Sequence, residues 1–237
     1  MNAPEPKPRS PLPAALLILT FTTGLVDAVS FLGLGHVFTA NMTGNVVFVA
    51  FTLAGIAELS APRSLVSLAA FVIGAAVGGR LARNKREASH REWLTRAAII
   101  EVACLLLAIV SSVGYDYRAE SPGWSLYGII IATALAMGFR NATVLRIAEP
   151  DLKTTVLTLT ITGIAADSSL AGGDNPRFGR RLLAVLTLFA GAGVGAWLLQ
   201  SIGALAPLLL MAALVIGATA LYALHPSSAA ATQAKKH

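Results

Sequence analysis

The chain alternates between long apolar stretches and short polar ones, and the apolar stretches are far longer than a strand requires. Eight can be delimited, at about 13–34, 37–57, 62–83, 94–114, 123–147, 152–169, 180–200 and 203–224. Several are long enough to cross a hydrocarbon core of about 30 Å as helices. Two differ in kind: segments 37–57 and 152–169 open on "TANMTGN" and "LKTTVLTLT", polar sequence unlike the start of an ordinary span. The pattern predicts an all-α polytopic membrane protein with one transmembrane domain at 13–225. It lies between tails at 1–12, rich in proline and charge, and 226–237, rich in Ser, Ala and Lys.

Charge decides how many segments cross. The loop "RLARNKREASHREWLTR" (Arg80–Arg96) carries six Lys/Arg and is expected on the cytoplasmic side. Lys7 and Arg9, "RFGRR" at Arg177–Arg181, and Lys235 with Lys236 ask for the same side. If all eight segments crossed, Lys7 and Arg177–Arg181 would each fall on the face opposite Arg80–Arg96. The conflict disappears when 37–57 and 152–169 are broken or re-entrant. About six spans then remain in an inner membrane, with both termini cytoplasmic. Eight full spans are the competing topology, because segment 37–57 is long enough to cross. Lys7 and Arg9 ahead of "LPAALLILTFTTG" also resemble a secretory signal, but similar segments follow and the first is read as a retained span.

The sequence also repeats. "GLVDAVSFL" (Gly24–Leu32) lies over "GFRNATVLR" (Gly138–Arg146), matching Asp27 with Asn141. "TANMTG" (Thr39–Gly44) lies over "TTVLTL" (Thr154–Leu159), and "GAAVGG" (Gly74–Gly79) over "GAGVGA" (Gly191–Ala196). Three matches in one order point to a duplication, with repeats at about 13–114 and 123–224. With one broken segment in each half, the repeats would enter the membrane from opposite faces. Gly74 and Gly78, like Gly191 and Gly195, have the small-xxx-small spacing that lets helix backbones approach.

Composition agrees with a membrane reading: 55% of the residues are hydrophobic and 13% charged, with a mean hydropathy of +0.70. The net charge of +6 concentrates at helix ends, where it reads as a topology signal and not as a nucleic-acid surface. The one cysteine, Cys104, lies in an apolar run and is read as a packing residue. No HExxH, GxSxG, P-loop or CxxC is present, so neither enzymatic activity nor a cofactor is expected.

Against that background the polar groups inside the apolar segments stand out. Asp27 and Arg140 lie at similar depths in the first and fifth segments, and each costs about 2.5–3.5 kcal/mol at a helix centre. They are expected to pair or to share a hydrated pocket. Asn41, Thr43, Gly44 and Asn45 in the first copy, with Asn141, Thr154, Thr155 and Thr158 in the second, would satisfy irregular backbone or contact a ligand. Helices starting near Asn41 or Thr154 would turn N–H groups and a positive dipole end inward. The alternative for the threonines is a hydrogen bond to a carbonyl one turn back. Glu101 is expected to pair with Arg96, and His36 to sit between segments.

"GLVDAVSFLGLGHVFTANMTGN" and "MGFRNATVLRI…TTVLT" resemble the YoaK-like bacterial membrane proteins, the family called domain of unknown function 1275, over nearly all of Leu12–Leu224. The resemblance implies a membrane fold and no particular activity. Arg140 stands where that family usually has glutamine and Leu159 where it usually has glycine, so an Asp27–Arg140 pair is not implied as a general device.

The residues together predict a small permease for a small polar solute or anion, centred on Asp27, Asn41–Asn45, Arg140, Asn141, Thr154, Thr155 and Thr158. A non-transporting scaffold, whose polar core only sets helix packing, is the rival reading. The bilayer is the expected surrounding, and a homodimer is compatible with the chain's size.

Overall fold

The computed structural model describes residues 11–84, 90–147 and 157–225. Among them the fold is helical: α1 (Leu12–Gly33), α2 (Met42–Leu53), α3 (Ala61–Asn84), α4 (His90–Ser112), α5 (Gly123–Ile147), α6 (Leu157–Ala166), α7 (Phe178–Ser201) and α8 (Leu205–Leu224). Six of these, α1, α3, α4, α5, α7 and α8, are long and apolar enough to span a bilayer. With 12 and 10 residues, α2 and α6 are roughly 18 and 15 Å long, about half of what crossing needs. Among the described residues, neither α2 nor α6 is long enough to cross as a helix, and six candidate spans remain.

Segment 37–57 is broken for a local reason. After α1, Gly35 and His36 both adopt left-handed backbone, with φ of +75° and +55°. Two such residues in succession turn the chain back on itself, and Gly35 supplies the first at no steric cost. Residues 37–41 then run without helix until α2 begins at Met42. Phe38 lies against Ser67, two turns into α3, so the stretch re-enters the bundle before α2 leads back out.

The direction of each span follows from its neighbours. Phe21 meets Gly191 and Leu25 meets Gly195, so α1 and α7 are parallel, while Leu135 meets Gly74 and Phe139 meets Gly78, so α3 and α5 are parallel. Gly128 faces Ser111 and Arg140 faces Glu101, which makes α4 and α5 antiparallel. Tyr115, just after α4, donates to the Gly33 carbonyl at the end of α1. Leu12 and Leu16 cluster with Ala218 and Tyr222, and Leu34 with Ala204 and Leu208, which sets α8 against α1 head to tail. Hence α1, α4 and α7 run one way and α3, α5 and α8 the other. The α2 end of the bundle carries the C-terminus of α1; the α6 end carries its N-terminus.

Glycines weld two helix pairs. A Cβ on Gly24 would overlap the Leu188 carbonyl, and one on Gly191 the Phe21 carbonyl. In the other pair, Gly138 is blocked by the Phe71 carbonyl and Gly74 by that of Leu135. Gly195 lies on Leu25 and Ala28, just as Gly78 lies on Phe139 and Ala142. The residues matched between the two halves of the sequence thus make matched contacts, in α1–α7 and in α5–α3.

The packing sorts the helices into two sets. In one, α1 lies along α7 and α8, and α6 lies on α7; in the other, α5 lies along α3 and α4, and α2 lies on α3. The main helix-to-helix contact between sets is α4 with α8. Helices α1 and α5 form the centre: 61% and 67% of their spans are buried, against 17% for α7. The outward faces carry Val72, Ile99, Val110 and Phe189, which suit acyl chains.

Candidate functional site

Two polar centres lie inside the bundle. The first is built where the re-entrant stretch meets α1. Asn45, fully buried near the start of α2, donates through Nδ2 to the Phe38 carbonyl at 2.6 Å and accepts the Phe38 N–H at 2.9 Å. Ser67 on α3 donates to the same carbonyl at 2.6 Å. One asparagine therefore supplies both bonds that a β-partner would give Phe38, which is how non-helical backbone is tolerated at this depth. The clamp delivers the Ala40 N–H to the Asp27 carboxylate. Asp27 Oδ1 remains buried without a partner, as does Thr39 Oγ1 on the residue before Ala40.

Asn41 and Thr43 are exposed at the first turn of α2, and Gly44 sits there against Phe38. Phe38 also stacks on Phe31 and Phe48, with ring centroids 5.1 and 5.8 Å away. His36 packs its ring edge against Phe31 at 5.1 Å and is exposed, at the rim of this aromatic cluster.

The second centre corrects the expected pairing. Arg140 is buried, but its partner is Glu101 and not Asp27: Nε and Nη2 both donate to Glu101 Oε1. Nη1 donates to Thr22 Oγ1 at 2.8 Å, to the Leu19 carbonyl at 3.2 Å and to Thr23 Oγ1 at 3.4 Å. The physical reason is position on α1. The guanidinium meets that helix at Leu19–Thr23, about one turn before Asp27, and α4 offers a buried carboxylate there. The Glu101–Arg96 pair is likewise not formed; Arg96 faces Glu92 at 4.0 Å near the start of α4. Beside the ion pair is a cavity of about 30 Å³, with Glu101, Arg140, Thr143 and Thr219 as its polar lining. That is room for about two waters.

The structure thus gathers Asp27 and the Asn41–Asn45 stretch at one place and puts Arg140 at another. Asn141 is half-buried beside Arg140 on α5. Thr158 is exposed on α6, at the far end of the bundle, where Arg181 ties α6 to α7 through the Gly163 carbonyl at 2.7 Å and Asp167 at 2.6 Å. Thr154 and Thr155 lie outside the described residues. Thr20, Thr23, Thr133, Thr143 and Thr219 all donate to the carbonyl four residues back, the structural alternative for hydroxyls in spans. Sequence reasoning missed Thr39 and the role of Glu101. A carboxylate inside a span was the available signal for Glu101; Thr39 carried none. Among the described residues, no three His, Cys, Asp or Glu side chains come together as metal ligands would.

Comparison with known proteins places the sequence in a family. A family model described as "Protein of unknown function (DUF1275)" matches residues 15–222. The chain is 29% identical, over 154 residues, to the UPF0700 transmembrane protein YoaK of Bacillus subtilis (strain 168), a match spanning 65% of this chain and 66% of the relative. No solved structure matches. With its six apolar spans and a family match running through all of them, the chain is a multi-pass membrane protein belonging to the DUF1275 family.

Proposed function

We propose that this protein is a small permease whose solute site is Asp27, with Thr39 and the Ala40 amide, at the mouth of the re-entrant stretch. The observation that carries this reading is the orphaned pair of buried oxygens, Asp27 Oδ1 and Thr39 Oγ1. A buried carboxylate oxygen without a donor is costly, and a solute with an N–H or O–H group would supply the donor. Within the earlier alternatives, a small polar solute rich in donors is favoured over an anion. Glu101 already neutralises Arg140, the cation that an anion would need.

The matched packing of α1–α7 and α5–α3, with α1 and α5 running in opposite directions, supports an inverted-topology repeat, an arrangement that many transporters use. Six spans put Arg80, Arg83 and Arg177 at one end with the start of α1 and the end of α8, which supports a cytoplasmic α6 end in an inner membrane. The scaffold reading draws on Asn45 and Arg140, both committed to internal bonds. A thermal-shift screen separates the two, using purified protein against small ammonium compounds, amides and polyols. A hit that stabilises wild type but not Asp27→Asn, and that proteoliposomes then take up, fits the permease. If Asp27→Asn gains stability and no compound in the panel distinguishes it from wild type, the polar core is packing alone.

A further inference from the structure

We propose that Arg140 and the Phe31–Phe38 stack are the two gates of the Asp27 site, closing the seam between two rigid bodies that do not coincide with the halves of the sequence. This rests on the permease reading and adds its moving parts. One body is α1, α6, α7 and α8; the other is α2, α3, α4 and α5. Each sequence half keeps three of its helices and exchanges the first, α1 for α5. Glycine-mediated contact brings the backbones of α1 and α7, and of α3 and α5, directly together, and such welds do not slide without steric overlap.

The Asp27 site straddles the seam. Asp27 belongs to α1, whereas Thr39 and Ala40 ride on the stretch that Asn45 and Ser67 fix to α2 and α3. Besides the apolar core that Leu25, Val26 and Met211 share with Leu105 and Met137, two groups of specific contacts cross the seam along α1, on either side of Asp27. Toward the α6 end, Arg140 of α5 reaches Leu19, Thr22 and Thr23. Glu101 holds the guanidinium from within its own body and aims Nη1 across the gap. Toward the α2 end, Phe31 of α1 stacks on Phe38 and leans on Phe48, while Tyr115 bonds the Gly33 carbonyl. Thr23 and Phe31 each lie four residues, roughly 6 Å, from Asp27. One gate is a charged clamp on backbone and hydroxyls; the other is a ring stack. Opening either exposes the same carboxylate to one end, which is the requirement for alternating access.

Spin-label distances test the gates without any solute, so their outcome is separate from whether a solute is found. In a Cys104→Ala background, labels replace exposed residues at the α6 end. Arg83–Phe178 (α3–α7) crosses the seam, Arg83–Leu145 (α3–α5) and Phe178–Leu224 (α7–α8) do not. The double variant Glu101→Gln/Arg140→Gln should lengthen and broaden the first distance, by up to about 5 Å, and leave the other two fixed. Thr22→Val/Thr23→Val keeps the ion pair intact and should shift the first distance in the same sense by less. Phe31→Ala should act at the other end, on a Leu65–Ile202 pair. If Arg83–Leu145 changes as much as Arg83–Phe178, the bodies are wrongly drawn. If folded variants change none of the distances, the contacts are not gates.

Discussion

The single asparagine at position 45 shows how few atoms hold the re-entrant backbone in place. Asn45→Ala leaves the buried Phe38 N–H without its acceptor and removes one of two donors from its carbonyl. A loss of about 1–3 kcal/mol is expected, read as a lower melting temperature in detergent. Glu101→Ala should cost more, about 3–5 kcal/mol, because it strands a buried guanidinium; replacing both partners with apolar residues of similar volume should recover much of that. Tyr115 gives a pH signature outside the spans. Burial, and next the Glu120 charge, push its hydroxyl above the ordinary value of about 10, against the opposing pull of Arg63. The fold thus favours the protonated hydroxyl that donates to Gly33 at 2.7 Å. Its contribution is complete below pH about 10 and drains away as pH rises toward the folded value. Tyr115→Phe should therefore lower stability at neutral pH and flatten the alkaline fall in a melting series. At this scale the sequence was half legible. The cost of charge in a span singles out Asp27, Glu101 and Arg140, but which of them pair depends on azimuth and on the neighbouring helix. Arg140 and Asp27 match in depth along their own spans and still miss each other by a turn of α1.

Helix boundaries were far more legible than side-chain partners, because apolar length and positive charge act along one dimension. Arginines far away, at Arg80–Arg96 and Arg177–Arg181, are what require segment 37–57 not to cross. The cause lies in the Gly35–His36 turn and the 12 residues of α2. Single cysteines at His36 and Glu58, both exposed, should accordingly react with an impermeant maleimide from the same side of a sealed vesicle. Labelling from opposite sides would restore a full crossing. The glycine pattern was visible as spacing, yet spacing does not say which glycine is in contact. Gly138→Ala should cost about 1–3 kcal/mol, since its Cβ meets the Phe71 carbonyl. Gly193→Ala, on the same α7 that carries Gly191, has open space and should be neutral or mildly stabilising. Equal losses at both would mean that the welded pairs are not what holds these helices.

The molecule as a whole is two interlocked bodies with a carboxylate on their seam. The sequence match of Gly24 with Gly138 was readable, but the pairing of α1 with α7 and of α5 with α3 was not, because it is a property of which helices touch. Asp27 is where sequence, packing and proposed function meet, and its contact with water tests them together. In a Cys104→Ala background, Asp27→Cys should react with a small, permanently charged thiol reagent in aqueous solution, since only a hydrated thiol ionises and reacts with such a reagent. Removing the Arg140 clamp should speed that reaction from the α6 end. An Asp27→Cys protein that resists the charged reagent in either background, yet reacts with a lipid-soluble maleimide, would contradict a hydrated solute site at this position.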